Sequence, residues 1–315
     1  MIRAADAEVT ARSPAGDVVL AYIRTQVLAI ARYDPLVRRD APDAVHQMRV
    51  ATRRARSALQ AFGQIIDREA TRSLGEELKW LAAELWLARD SEVMLERLTA
   101  DLAAIPPALV VGPVEVRMTG HFTAELAQAG KAALHALDGP RYLRLRDDLD
   151  VLLADPPLTP LAGRKAGKAL VRPVRRAARR LQRALAAVPA AEDRGSETSA
   201  PEGHAAEDLG TAVDRDTAIH EARKAAKRAR YAAEAALPAL GGQASRQAAQ
   251  AKDLQELLGD HHDSVVTRTV LRGLADQARS AGEDTFTYGV MYERQACAAS
   301  EIERELPHAG PADGQ

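Results

Sequence analysis

Two short stretches of this chain carry side chains that could hold an anion. The first runs Val45-His46-Gln47-Met48-Arg49-Val50-Ala51-Thr52-Arg53-Arg54-Ala55-Arg56, and the second runs Ile219-His220-Glu221-Ala222-Arg223-Lys224-Ala225-Ala226-Lys227-Arg228-Ala229-Arg230. Both fit H-x-x-R-x-A-x-[RK]-R-A-R, at an offset of 174 residues. On a helix, His46, Arg49, Arg53 and Arg56 fall within about an 80° arc and span about 15 Å along the axis. His220, Arg223, Lys227 and Arg230 repeat that arc, with Lys224 and Tyr231 within or beside it. Like charges at three- and four-residue spacing repel. A bound anion would offset that cost, and the first stretch has no acid between Asp43 and Asp67 to do so.

Arg grips phosphate oxygens with a planar fork, whereas Lys offers a point charge. Arg53 in the first copy is matched by Lys227 in the second, and Arg89 by His262. Such exchanges keep charge or donors but not a ligand geometry, which suits an extended polyanion better than a metal. A third cationic row, Arg164, Lys168, Arg172, Arg175, Arg179 and Arg183, steps along one helical side. A solvated Arg-rich surface explains that row about as well as a ligand does.

The elements that must position these residues are helices. Aromatic content is 3%, and period-two runs of β-branched residues are scarce, so the chain reads as all-α. Lys79-Trp80-Leu81 through Arg89-Asp90-Ser91 parallels Lys252-Asp253-Leu254 through His262-Asp263-Ser264 at an offset of 173. Two matched segments in the same order point to an internal duplication, with halves 15–155 and 160–306. Helical patterns run over 15–33, 42–67, 70–100, 107–137 and 140–154, then 160–188, 214–238, 242–281 and 283–306. Pro173 should kink or restart the first helix of the second half. Residues 1–14 and 307–315 read as tails. Residues 189–213, rich in Ala, Gly, Ser, Pro and acids, read as a flexible acidic loop.

The formal charge of −1 conceals clustering. Residues 189–217 hold eight acids against Arg194 and Arg215, a local charge of −6 that leaves +5 for the remainder. The single cysteine, Cys297, suits a reducing cytoplasm, and neither a secretory signal nor a membrane span is expected. Walker A, G-x-G-x-x-G and G-x-S-x-G patterns are absent, and a di-iron bundle needs two Glu-x-x-His pairs, whereas the sequence holds one, Glu305 to His308 at the C-terminal end. No cofactor is expected. His261-His262-Asp263 admits a metal-dependent phosphohydrolase centred on His262 and Asp263, with His220 and a later acid such as Asp276 as further ligands. The first half, however, puts Arg89 where His262 stands. A single-stranded nucleic-acid or RNA binder is the other alternative, disfavoured by the scarcity of aromatic residues for base stacking. Asp90 and Asp263 read first as groups that orient basic neighbours.

These motifs resemble the CHAD domain, the conserved histidine α-helical domain. The resemblance rests on H-x-x-R-V-x-x-R-R-x-R and a Lys-Leu helix ending in Arg-Asp, then H-x-x-R-K-x-x-K-x-x-R-Y and L-x-x-L-L-G-x-x-H-D, over residues 15–306. It implies two pseudo-symmetric four-helix bundles around a central basic pore or groove that binds inorganic polyphosphate. It also implies association of some members with polyphosphate granules. By motif position, polyphosphate contacts carry over to His46, Arg49, Arg53, Arg54 and Arg56, and to His220, Arg223, Lys224, Lys227, Arg230 and Tyr231. Arg228 stands beside them, Lys79, Arg89, Lys252 and His262 match the following helices, and Arg172, Arg175 and Arg179 join from the third row. Many relatives add a CYTH-type triphosphate tunnel, whose E-x-E-x-K signature is absent here. A binding protein rather than an enzyme is expected.

Overall fold

The computed structural model describes residues 8–188 and 205–306; at 87–90 and 205–214 it describes the backbone only. Among the described residues the fold is all-helical, with isolated bridges at Pro14–Lys165 and Ile66–Leu158 in place of strands. The helices are α1 (Ala15–Val37), α2 (Ala44–Ala61), α3 (Arg72–Glu84), α4 (Trp86–Ala103), α5 (Val114–Asp138) and α6 (Pro140–Ala154). They continue with α7 (Ala166–Ala169), α8 (Val171–Ala186), α9 (Ala205–Leu240), α10 (Gly242–Ser280) and α11 (Phe286–Glu305). Among the described residues, no helix is long and apolar enough to cross a membrane.

The chain divides into two compact units, which do not follow the sequence halves. Unit 1 comprises Met1–Val93, Phe122–Ala177 and Arg228–Ala249. Unit 2 comprises Met94–His121, Ala178–Lys227 and Gln250–Gln315. Helix α9 therefore gives its first part to unit 2 and its last turns to unit 1.

In unit 1, α1 packs along α2, α2 on α3, and α3 on α6. Met48, Ala51, Ala55 and Leu59 recur at three- and four-residue spacing on α2 and are buried. They meet Val19, Ile23 and Ile30 of α1 and Leu74, Leu78 and Leu81 of α3 in one core. The last turns of α9 enter that core through Ala232, Ala233, Ala235 and Ala236. Burying one face of α2 in this way turns its Arg face outward from the core. Unit 2 buries Leu98, Ile219, Ala222, Ala226, Leu254, Leu258, Leu271 and Met291.

Several boundaries differ from the sequence expectation. Helix α1 continues through Pro35 because Asp34 is buried and held by Tyr142 Oη at 3.1 Å and Arg38 Nε at 2.6 Å. The expected helix 70–100 is broken at Leu85, whereas the matching α10 runs unbroken. The expected helix 160–188 is three pieces, a 3-10 turn at Pro160–Gly163 followed by α7 and α8, and Pro173 falls in the first turn of the last. Residues 205–213, expected as loop, are the start of α9. Ala and Glu favour helix. The remainder of that acidic stretch and the C-terminal tail lie outside the described residues. Of the expected N-terminal tail, Ala11 and Ser13 accept hydrogen bonds from the amides of Gly167 and Ala166, both at 2.9 Å.

Candidate functional site

In unit 1 the arginines of the first motif copy meet the last turn of the second. Arg53 Nη2 donates to the Tyr231 hydroxyl at 3.4 Å. Arg54 stacks over the Tyr231 ring at 5.6 Å and reaches Glu234 Oε2 at 3.4 Å. Arg230 Nε bonds the other oxygen of Glu234 at 2.7 Å, and Tyr22 Oη approaches the same carboxylate at 3.4 Å. Burial, reinforced by Glu234, pushes the Tyr22 phenol pKa upward, so it stays a neutral donor. Arg54 Nε is buried with no hydrogen-bond partner among the described residues.

The rest of the first copy flanks this group. Arg49 lies over the Trp86 ring at 5.0 Å. Arg56 Nε donates to the Gly75 carbonyl at 3.2 Å; burial lowers its pKa and Glu76 partly offsets that. His46 is half-buried on the same helix, and Arg228 is exposed. Lys79 projects from α3 toward Glu76 at 3.8 Å. The break at Leu85 starts α4 afresh at Trp86, the residue beneath Arg49.

In unit 2 the second copy meets α10 and α4. The rings of His220 and His262 are 5.1 Å apart and tilted. Asp263 stands 3.6 Å from Arg223 Nη2 and 3.8 Å from Arg97 Nη1. Arg97 in turn donates to Gln295 Oε1 at 3.2 Å. Burial, then Arg223, His220 and Lys227, depresses the His262 pKa to about 4. Burial, then Lys224, depresses that of His220, with Glu221 opposing. Both imidazoles are thus neutral near pH 7, and His220 Nδ1 is buried without a hydrogen-bond partner among the described residues. Lys224 is exposed and paired with Glu221 at 2.6 Å; Lys252 is exposed and paired with Glu256 at 3.4 Å.

The third row behaves differently. Arg172, Arg175 and Arg179 are all exposed on α8. The side chains of Arg89 and Asp90 lie outside the described residues. Asp276, a nominated metal ligand, is paired with Arg279 at 2.7 Å.

Four residues were not singled out from sequence: Tyr22, Trp86, Arg97 and Glu234. Glu234 had a signal, since it follows Arg230 by four residues on one helix face. Arg97 had none, because its partners Asp263 and Gln295 are far away in the chain.

The CHAD domain family model matches residues 21–272. Proteins from two strains of Mycobacterium tuberculosis, both uncharacterised, are 36% identical over 296 residues, which is 94% of this chain and 53% of theirs. The chain therefore spans about half the length of these relatives. The crystal structure of the CHAD domain from the plant Ricinus communis is similar at a TM-score of 0.71 and 26% identity, covering 98% of this chain and 96% of that one. PptA from Streptomyces chartreusis shares the fold at a TM-score of 0.75 and 24% identity, covering 94% and 99%. From motif order, helical architecture and these matches together, the chain belongs to the CHAD domain family.

Proposed function

We propose that this chain binds inorganic polyphosphate and does so without chemistry of its own. The observation that carries the reading is the convergence in unit 1 of Arg53, Arg54 and Arg230, from both motif copies: Arg53 and Arg54 meet Tyr231, and Arg54 and Arg230 share Glu234. Two guanidinium forks on one carboxylate, with Arg53 held by a neutral hydroxyl, leave a surplus of fixed positive charge, matched in kind to phosphate oxygens. The cluster of Arg223, Lys227, His220 and His262 in unit 2 offers a second set of donors. Binding by ion release makes affinity fall steeply with salt. Association with polyphosphate granules and a cytoplasmic location follow as parts of the same proposal.

Two observations favour a polyanion without bases. Guanidinium groups already lie over the Tyr231 and Trp86 rings, where a stacking binder would need open faces. Asp263 is engaged by Arg223 and Arg97, and His262 sits among cations, a poor setting for a catalytic metal.

The test is competition at low salt between long-chain polyphosphate and single-stranded RNA, read by thermal shift and by displacement of a labelled polymer. Polyphosphate is expected to raise Tm and to displace RNA at equal phosphate concentration. RNA raising Tm where polyphosphate does not, or phosphate release on adding divalent metal, overturns the reading.

A further inference from the structure

We propose that unit 2 also holds a divalent transition-metal site, formed by Asp216 of α9, His261 of α10 and Glu303 of α11. Three helices each supply one ligand, and the three ligand atoms lie within 4.8 Å of one another. The His261 side chain is 1% exposed, and its Nε2 is 3.0 Å from Glu303 Oε1 and 3.7 Å from Asp216 Oδ1. His261 and His262 are chain neighbours, yet about 100° apart on the helix. One faces this carboxylate pair and the other faces His220 and the cations.

A proton on Nε2 serves only part of this arrangement. One N–H satisfies Glu303 at 3.0 Å, but Asp216 at 3.7 Å is beyond hydrogen-bond reach of the same nitrogen. A metal ion serves all three, because ligand atoms held at about 2.1 Å stand roughly 3.0–3.5 Å apart. Two of the three separations, 3.0 and 3.7 Å, are already close to that range. Asp216, at the half-exposed corner, can close the remainder by a side-chain rotation.

The donor set defines the ion. One imidazole and two carboxylates suit Zn²⁺ or Mn²⁺, with room left for water. Two carboxylates and a neutral imidazole balance a dication. Arg215 Nη1, 3.3 Å from Glu303 Oε2, occupies the other oxygen and orients Oε1 toward the site. The acidic stretch and the His-His doublet, separate oddities in the sequence, thus meet at one place. This proposal is independent of polyphosphate binding.

The experiment uses the full chain stripped of metal, without polyphosphate, which would itself chelate the ion. Zn²⁺ and Mn²⁺ are titrated by thermal shift, and Co²⁺ is added as a spectroscopic stand-in. A rise in Tm with one of the first two, and visible Co²⁺ absorption, are expected. Asp216→Asn, at the half-exposed ligand, should remove both while leaving polyphosphate affinity unchanged. Glu303→Gln is the second variant should the first fail to fold. Paired His220→Gln and His262→Gln should retain both signals. Absence of metal-dependent Tm shift and Co²⁺ absorption, or their persistence in Asp216→Asn or Glu303→Gln, overturns the proposal.

Discussion

The two cationic clusters use different chemistry for charge. That of unit 1 is built from arginines backed by aromatic rings, and the Glu234 carboxylate is shared by Arg54 and Arg230. Guanidinium groups stay charged at any pH a protein survives. That of unit 2 pairs Arg223 and Lys227 with two imidazoles 5.1 Å apart, both held neutral by burial and neighbouring cations. Its charge can grow when an anion arrives. The first cluster is a fixed electrode; the second would take up protons if the proposed polyanion binds.

The largest effect expected is from removing fixed charge. Arg53→Ala with Arg54→Ala, or Arg223→Ala with Lys227→Ala, should weaken polyphosphate binding by about tenfold or more per charge. The slope of log affinity against log salt should fall by about 1 per charge. Arg72→Ala with Arg279→Ala, exposed cations in local pairs, is the control. Equal losses in all three variants would erase the distinction between clusters and surface.

An intermediate effect is expected from pH. An anion raises the pKa of His262 and His220 above their depressed values, so affinity should rise as pH falls from mildly basic to mildly acidic. His220→Gln with His262→Gln should flatten that profile, and the unit 1 variant should preserve it. The same depression acts on stability with the opposite sign. In the unfolded chain His262 titrates near about 6.5, whereas in the fold it titrates at about 4. Between those values only the unfolded state gains the proton, so stability without ligand should fall as pH drops. His262→Gln should lessen that loss in urea melts at pH 7 and pH 5.

The smallest effect should come from Glu234→Gln. Neutralising the shared carboxylate releases Arg54 and Arg230 toward the ligand. Affinity for polyphosphate should rise a few-fold, while stability changes by about 1 kcal/mol or less, as for partly exposed ion pairs. Weaker binding would mean that Glu234 serves to orient the forks.

Much of this was legible in the helical spacing. The buried face of α2 follows from Met48, Ala51, Ala55 and Leu59, and the opposed cations follow with it. The break at Leu85 was not legible, since Glu84-Leu85-Trp86 contains neither Gly nor Pro and the choice is tertiary. Nor was the early start of α9, where low hydrophobicity masks good helix propensity. The counter-charges were harder still. Glu234 could be placed beside Arg230 by its spacing of four, but its contact with Arg54 joins residues 180 positions apart. The Asp216, His261 and Glu303 group shares no motif, and only the packing of three helices unites it.

The chain has two tryptophans, and both lie in unit 1 beneath guanidinium groups. Arg141 over Trp80 is pinned to Glu77 by two hydrogen bonds, at 2.6 and 3.1 Å. Arg49 over Trp86 belongs to the motif that would meet an anion. One indole is therefore a fixed optical reference, and the other an emitter whose surroundings would change if Arg49 turned to a phosphate. On the proposed reading, intrinsic fluorescence would give a dye-free gauge of occupancy.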